Sequence, residues 1–145
     1  MKSQFHQNTA AQIIKLLPDL LGIVFSQMRR TGHPSHYMLL AALYQQSCSL
    51  SELAERQAVS LPSISSSVTT LEQRGWLRRV PAQHDRRVVF AEITGEGRAA
   101  FEEMQIASQK GLSEFLDSLT EEDLIAISDG LGLLQKALTH TLVIG

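Results

Sequence analysis

"SLSELAERQAVSLPSISSSVTTLEQRGWLRRVPAQHDRRVVFAEITGEG", residues 49 to 97, holds the signals that decide the fold. It opens on a Ser-x-x-Glu capping box, Ser49 to Glu52, and the apolar positions Leu50, Leu53 and Ala54 follow with helical spacing. "AVS" makes a turn, and "LPSISSSVTTLEQRG" reads as a second helix. Pro62 is tolerated there because it lies in the first turn, where a missing N–H has no helical partner to lose. Ile64, Val68 and Leu71 recur at i, i+4 and i+7, which buries one stripe of that helix. Gly75 is a natural stop, since glycine takes the left-handed C-cap conformation without a Cβ clash. "WLRRV" and "VVFAEI" then read as two strands, and the polar "PAQHDR" joins them as a hairpin with a long tip.

Five arginines, Arg74, Arg78, Arg79, Arg86 and Arg87, crowd residues 74–87 against one acid, Asp85. The formal net charge of −2 argues, taken alone, against a nucleic-acid partner. Its distribution argues the other way. Residues 1–49 hold four Lys or Arg and one acid, residues 50–98 hold seven and six, and residues 99–145 hold two and eight. The chain has a locally basic middle and an acidic end. Because salt screens charges over about 8 Å, a polyanion responds to the local excess.

Working outward, residues 9–30 are expected to form a helix with Ile13, Leu16, Leu17, Leu20, Val24 and Met28 as its apolar positions. Pro18 predicts a kink or restart within it. "TGHPS" is a break, and "SHYMLLAALYQQ" is a short helix with Ser35 as N-cap. Beyond the hairpin, Thr94 starts a long helix, and Thr120 precedes a last one with Leu124, Ile127, Leu131, Leu134 and Leu138 on one side. The expected order is four helices, two strands and two helices. The fold class is mostly α (α+β), a winged helix-turn-helix over residues 35–97. Its helical dimerisation base comes from residues 1–34 and 98–145. The terminal stripes need a partner surface, so a homodimer is expected. In such a fold the second helix of the pair suits a major groove, while the first crosses the backbone.

The chain here resembles the MarR family of bacterial transcription regulators. The likeness rests on Leu53-Ala54, "VS" at 59–60, "LEQRG" at 71–75, "DRR" at 85–87 and "IT-x-x-G" at 93–97. It implies a sequence-specific DNA-binding transcriptional regulator, a repressor released by a small-molecule ligand. Its partners would be double-stranded DNA bearing a palindromic operator, a second copy of the chain, and a small aromatic or anionic effector. Arg86 would enter a minor groove, and Asp85 would hold an arginine in place by a charge-assisted bond. The DNA-contacting set is Ser60, Pro62, Ser63, Ser65, Ser66, Thr69, Thr70, Arg74, Arg79, His84, Asp85, Arg86 and Arg87. The family places an effector pocket between the dimer base and the winged domain, with Arg29, His33, His36 and Tyr37 as lining candidates. Where many relatives carry a basic residue and then an apolar one, this chain has Ser66 and Ser67. Hydroxyls touch phosphates and base edges but cannot make the bidentate arginine contact to guanine.

Other function classes fare worse. At 145 residues the prior is one domain, and 43% hydrophobic content is ordinary for a globular protein. The lone Cys48 rules out an internal disulfide framework and fits a reducing cytoplasm, where the protein is expected. No secretory signal is visible, and the longest apolar run, broken by Lys15, Pro18 and Asp19, falls short of a membrane span of about 20 residues. No nucleophile, base and orienting acid stand in a recognisable spacing, so no enzyme and no cofactor are expected. His33 and His36 alone do not make a metal site. Two alternatives remain: a winged-helix protein–protein module, favoured by the Ser-rich helix, and a thiol-based redox sensor acting through Cys48.

Overall fold

The apolar stripe of the N-terminal residues lies on one helix, α1 (Lys2–Ser26), which runs through Pro18. The expected restart is absent, because the one hydrogen bond that proline removes leaves the ladder intact on both sides. The helix also begins earlier than residue 9. Its first two turns are polar apart from Phe5 and carry no periodic signal, although Lys and Gln are good helix formers. The computed structural model describes residues 1–28 and 32–144, the last three as backbone only. Residues 29 and 30, the expected end of this helix, lie outside the described residues. No residue of α1 is buried. By length and composition it could cross a bilayer, with a mean hydropathy of 1.4 over an 18-residue window.

The next helix, α2 (Pro34–Gln45), is capped by His33 rather than Ser35. The His33 Nδ1 accepts the Ser35 N–H at 3.3 Å, and Pro34 occupies the first turn. Leu39, Leu40 and Leu43 are its buried residues. A two-residue strand, β1 (Cys48–Ser49), then precedes α3 (Leu50–Arg56). Two residues are too few to show alternation, so nothing in the sequence marked this strand. The capping box closes as expected: Ser49 Oγ accepts from Glu52 N–H at 3.1 Å, and Glu52 Oε2 accepts from Ser49 N–H at 3.0 Å.

The chain turns through Ala58, at φ 52°, into α4 (Leu61–Gln73), where Ile64, Val68 and Leu71 are buried. Gly75, at φ 77°, ends the turn after α4. Strands β2 (Leu77–Pro81) and β3 (Val89–Ile93) pair antiparallel with Leu77 opposite Ile93 and Pro81 opposite Val89. β1 adds to the other side of β3, giving the order β1-β3-β2. The helix α5 (Gly95–Leu116) starts at the Thr-x-x-Gly motif. Thr94 Oγ1 donates to the Gly75 carbonyl at 2.6 Å and accepts the Gly97 N–H at 3.0 Å. Gly97 lies so close to Trp76 that an added Cβ would collide with its carbonyl oxygen. The motif therefore bolts the start of α5 to the chain leaving α4. The last helix, α6 (Glu121–Ile144), is capped by Thr120, whose Oγ1 accepts the Asp123 N–H at 3.2 Å.

Two compact units result, Met1–Gly111 and Leu112–Gly145. The first holds a core built from Met28, α2, α3, α4, the sheet, Phe101 and Met104. In the second, every side chain described on α6 is exposed.

Candidate nucleic-acid interface

α4 presents a polar face because its apolar residues are confined to one stripe. Ser60 caps it, accepting from Ser63 N–H at 3.3 Å, and the two hydroxyls lie 2.8 Å apart. Pro62, Ser63 and Ser66 are exposed on the first two turns. Thr70 Oγ1 donates back to Ser66 O at 3.2 Å, and Thr69 Oγ1 to Ser65 O at 2.9 Å.

The five arginines divide by partner. Arg78 forms a forked contact with Glu92 Oε2, through Nε at 2.9 Å and Nη2 at 2.8 Å. Arg79 turns back onto α4: its Nη1 meets Glu72 Oε1 at 2.9 Å, and its Nη2 reaches Ser65 O and Thr69 Oγ1, both at 2.9 Å. Glu72 Oε2 also accepts the Arg79 backbone N–H at 3.0 Å. The acids that neutralise these two arginines lie outside residues 74–87, which is why the sequence window overstated its free charge. Arg74 sits with its guanidinium 5.1 Å from the centre of the Trp76 ring, exposed to solvent.

At the hairpin tip, His84, Asp85, Arg86 and Arg87 are all exposed. Among the described residues Asp85 pairs with no guanidinium. Its Oδ1 accepts the backbone N–H of Arg87 at 3.0 Å, a local turn that fixes the loop rather than a side chain. The expectation of a charge-assisted bond to an arginine side chain is corrected accordingly. Arg86 and Arg87 form no ion pair among the described residues. Among the described residues the tip thus carries two cations without an ion pair, and Asp85 beside them is the acid of that loop. Arg87, Val88 and Val89 of the hairpin share a crevice of about 270 Å³ with Leu61 and Ser65 of α4.

The effector candidates are only partly brought together. A crevice of about 460 Å³ is lined by Gly22, Phe25, Ser26, Gly32, His33 and Pro34. His33 lines it, and the His36 ring lies 5.8 Å from the His33 ring. Tyr37 packs between Phe25, at 6.4 Å, and Phe101, at 5.2 Å between ring centres. Arg29 lies outside the described residues. Sequence reasoning missed Gly22, Phe25 and Ser26 because it gave that face of α1 to helix pairing. Burial, then Arg74, then His33 hold the His36 pKa below the ordinary histidine value.

Cys48 is 1% exposed. Its Sγ lies 3.6 Å from Arg56 Nη1, a neighbour that only folding supplies. Burial nevertheless pushes the thiol pKa up against the pull of Arg56, which disfavours the reactive thiolate.

With the geometry in place, comparison with known proteins is specific. A sequence model of the MarR family matches residues 33–88. The chain is 29% identical over 127 residues to the HTH-type transcriptional repressor MdtR of Bacillus subtilis (strain 168), covering 86% of this chain and 79% of that protein. Among solved structures, the YusO protein from Bacillus subtilis is similar at TM-score 0.70 and 26% identity, over 94% of this chain and 99% of that one. Wild-type MarR from E. coli in its apo form shares the fold at TM-score 0.77 and 20% identity, over 89% and 95%.

Proposed function

The chain belongs to the MarR family, and on that footing we propose that it represses transcription by binding a palindromic operator as a homodimer and is released by a small molecule. It is a DNA-binding transcriptional regulator and not an enzyme. The observation that carries the site assignment is the pair of exposed wing-tip cations, Arg86 and Arg87, which form no ion pair among the described residues. Arg86 would enter a minor groove, where negative potential is concentrated when the groove is narrow. Pro62, Ser63, Ser66 and Thr70 would face the major groove, while Arg74 and Arg87 would meet phosphates and fix the register.

The dimer is supported by apolar side chains left open on both terminal helices, Leu16 at 57% and Leu131 at 60% exposure among them. Lys15, Pro18 and Asp19 inside α1 favour a partner helix over a bilayer as its environment. The crevice at His33 would take a small aromatic or anionic effector, with Phe25 offering a ring face and His33 a polar edge. Release would follow from unequal affinity of that ligand for the DNA-binding arrangement and another.

Selection of bound fragments from random DNA, followed by titration over a salt series, tests this reading. Enriched sites should be two-fold symmetric with half-sites about 10 bp apart or a multiple of one turn. Affinity should fall linearly in log–log form with salt, by several powers per decade. Binding that ignores salt, or no enrichment, would remove the DNA assignment of these residues.

A further inference from the structure

Arg79 makes a set of contacts that a phosphate-binding arginine would not. The β2–β3 register places Arg79 opposite the fully buried Ala91, while the neighbouring Arg78 stands opposite Glu92. Alternation along β2 therefore sends Arg78 to one face and Arg79 to the face against α4. There its acceptors come from positions 65, 69 and 72 of α4: Ser65 O at 2.9 Å and Oγ at 3.2 Å, Thr69 Oγ1 at 2.9 Å and Glu72 Oε1 at 2.9 Å. These positions are spaced i, i+4 and i+7 and form one stripe beside the buried stripe of Ile64, Val68 and Leu71. The Arg79 side chain is only 27% exposed. A guanidinium can serve acceptors separated in this way because its donors are held in a rigid planar fork, which a lysine ammonium cannot copy.

We propose that Arg79 is a positioning residue that fastens the root of the wing to α4, so that Ser65 and Thr69 serve this joint rather than read bases. The Arg79–Glu72 pair is partly exposed and contributes little stability by itself. Its consequence is geometric: it fixes the offset between the groove-reading face of α4 and the wing tip that carries Arg86. The inference rests on the DNA-binding reading above, and it removes two hydroxyl residues and one arginine from the direct contacts that the sequence suggested.

The test has a DNA-free arm and a DNA arm. In the free protein, nitrogen NMR of the Arg79 side chain should show slow rotation of its Nη groups, held by four acceptors on α4. Rapid averaging would overturn the joint whatever the protein does with DNA. In the DNA arm, Arg79→Ala should lower the ratio of operator to random-sequence affinity by roughly tenfold, about the effect of one lost base contact. The salt slope should stay unchanged, since no phosphate contact is lost. Arg79→Lys, which keeps the charge and guards against a folding failure, should show the same loss of discrimination. Adding Ser65→Ala and Thr69→Ala to Arg79→Ala should cost nothing further, because all three act through one contact. A salt slope reduced by about one unit with equal weakening on all sequences would make Arg79 a phosphate ligand. A further, additive loss of discrimination in the triple variant would make Ser65 and Thr69 base readers. Either outcome overturns the proposal. A parent protein without operator preference would instead overturn the DNA reading, with the NMR arm still deciding whether the joint exists.

Discussion

His36 Nδ1 is a buried atom with no hydrogen-bond partner among the described residues, and its ring lies near Arg74 and His33. Its folded pKa is held below the ordinary 6.5, so the unfolded chain binds that proton more readily than the native protein does. The stability linked to a neutral His36 is full above 6.5 and is lost as pH falls through that value toward the lowered one. Thermal unfolding at about pH 7.5 and about pH 5.5 should show a loss on acidification that shrinks in His36→Gln. An undiminished loss in that variant would place the proton uptake on other groups. Cys48 gives a second prediction at this scale. Cys48→Ser puts a hydroxyl into an apolar site and should cost about 1–2 kcal/mol while leaving DNA affinity intact. If the parent released DNA on peroxide treatment and the variant did not, the thiol would be a sensor after all.

Elements are held by local devices that substitution can probe one at a time. Ala58 is the non-glycine residue of positive φ in the described chain, at the turn between α3 and α4. A left-handed conformation costs an alanine roughly 1–2 kcal/mol, part of which glycine gives back as unfolded-state freedom. Ala58→Gly should therefore raise the urea midpoint, by a gain of about 0.5–1 kcal/mol. Gly97→Ala should do the reverse and lose about 1–3 kcal/mol, because its methyl would be driven into the Trp76 carbonyl and meet Ile93 Cγ1. An unchanged midpoint would mean that the α4-to-α5 bolt is not tight. The elements legible in the sequence were those with local signals. The capping box at Ser49, the Ser60-led helix with its buried stripe, the stop at Gly75 and the hairpin all lie where spacing and caps put them. What escaped depended on distance or on weak pattern: a two-residue strand, the polar first turns of α1, and a histidine cap before α2. The arginine-rich segment itself was visible, yet its sorting was not. Glu92 meets Arg78 only through strand register, and Glu72 meets Arg79 only once β2 lies against α4.

At the scale of the whole molecule, both terminal helices leave apolar side chains open to solvent. Along α6 the side chains of Leu131, Leu134 and Leu138 are 60%, 41% and 63% exposed, and monomeric proteins rarely leave such contiguous apolar surface to solvent. Sedimentation at micromolar concentration should report a dimer, and Leu131→Glu with Leu134→Glu should shift it toward monomer or aggregate. A parent that sediments as a folded monomer would sink the two-fold account and its palindromic site. The central claim, that the wing beside α4 reads DNA, meets its most direct test at Arg86, which is exposed and carries no ion pair among the described residues. Arg86→Ala should keep its melting temperature and its dimer, since an exposed loop side chain has few packed contacts to lose. Operator titration of this variant beside the parent should show a loss of about 1–3 kcal/mol, the size of a well-placed groove contact. Operator affinity equal to that of the parent would contradict the account and leave the wing a charged hairpin.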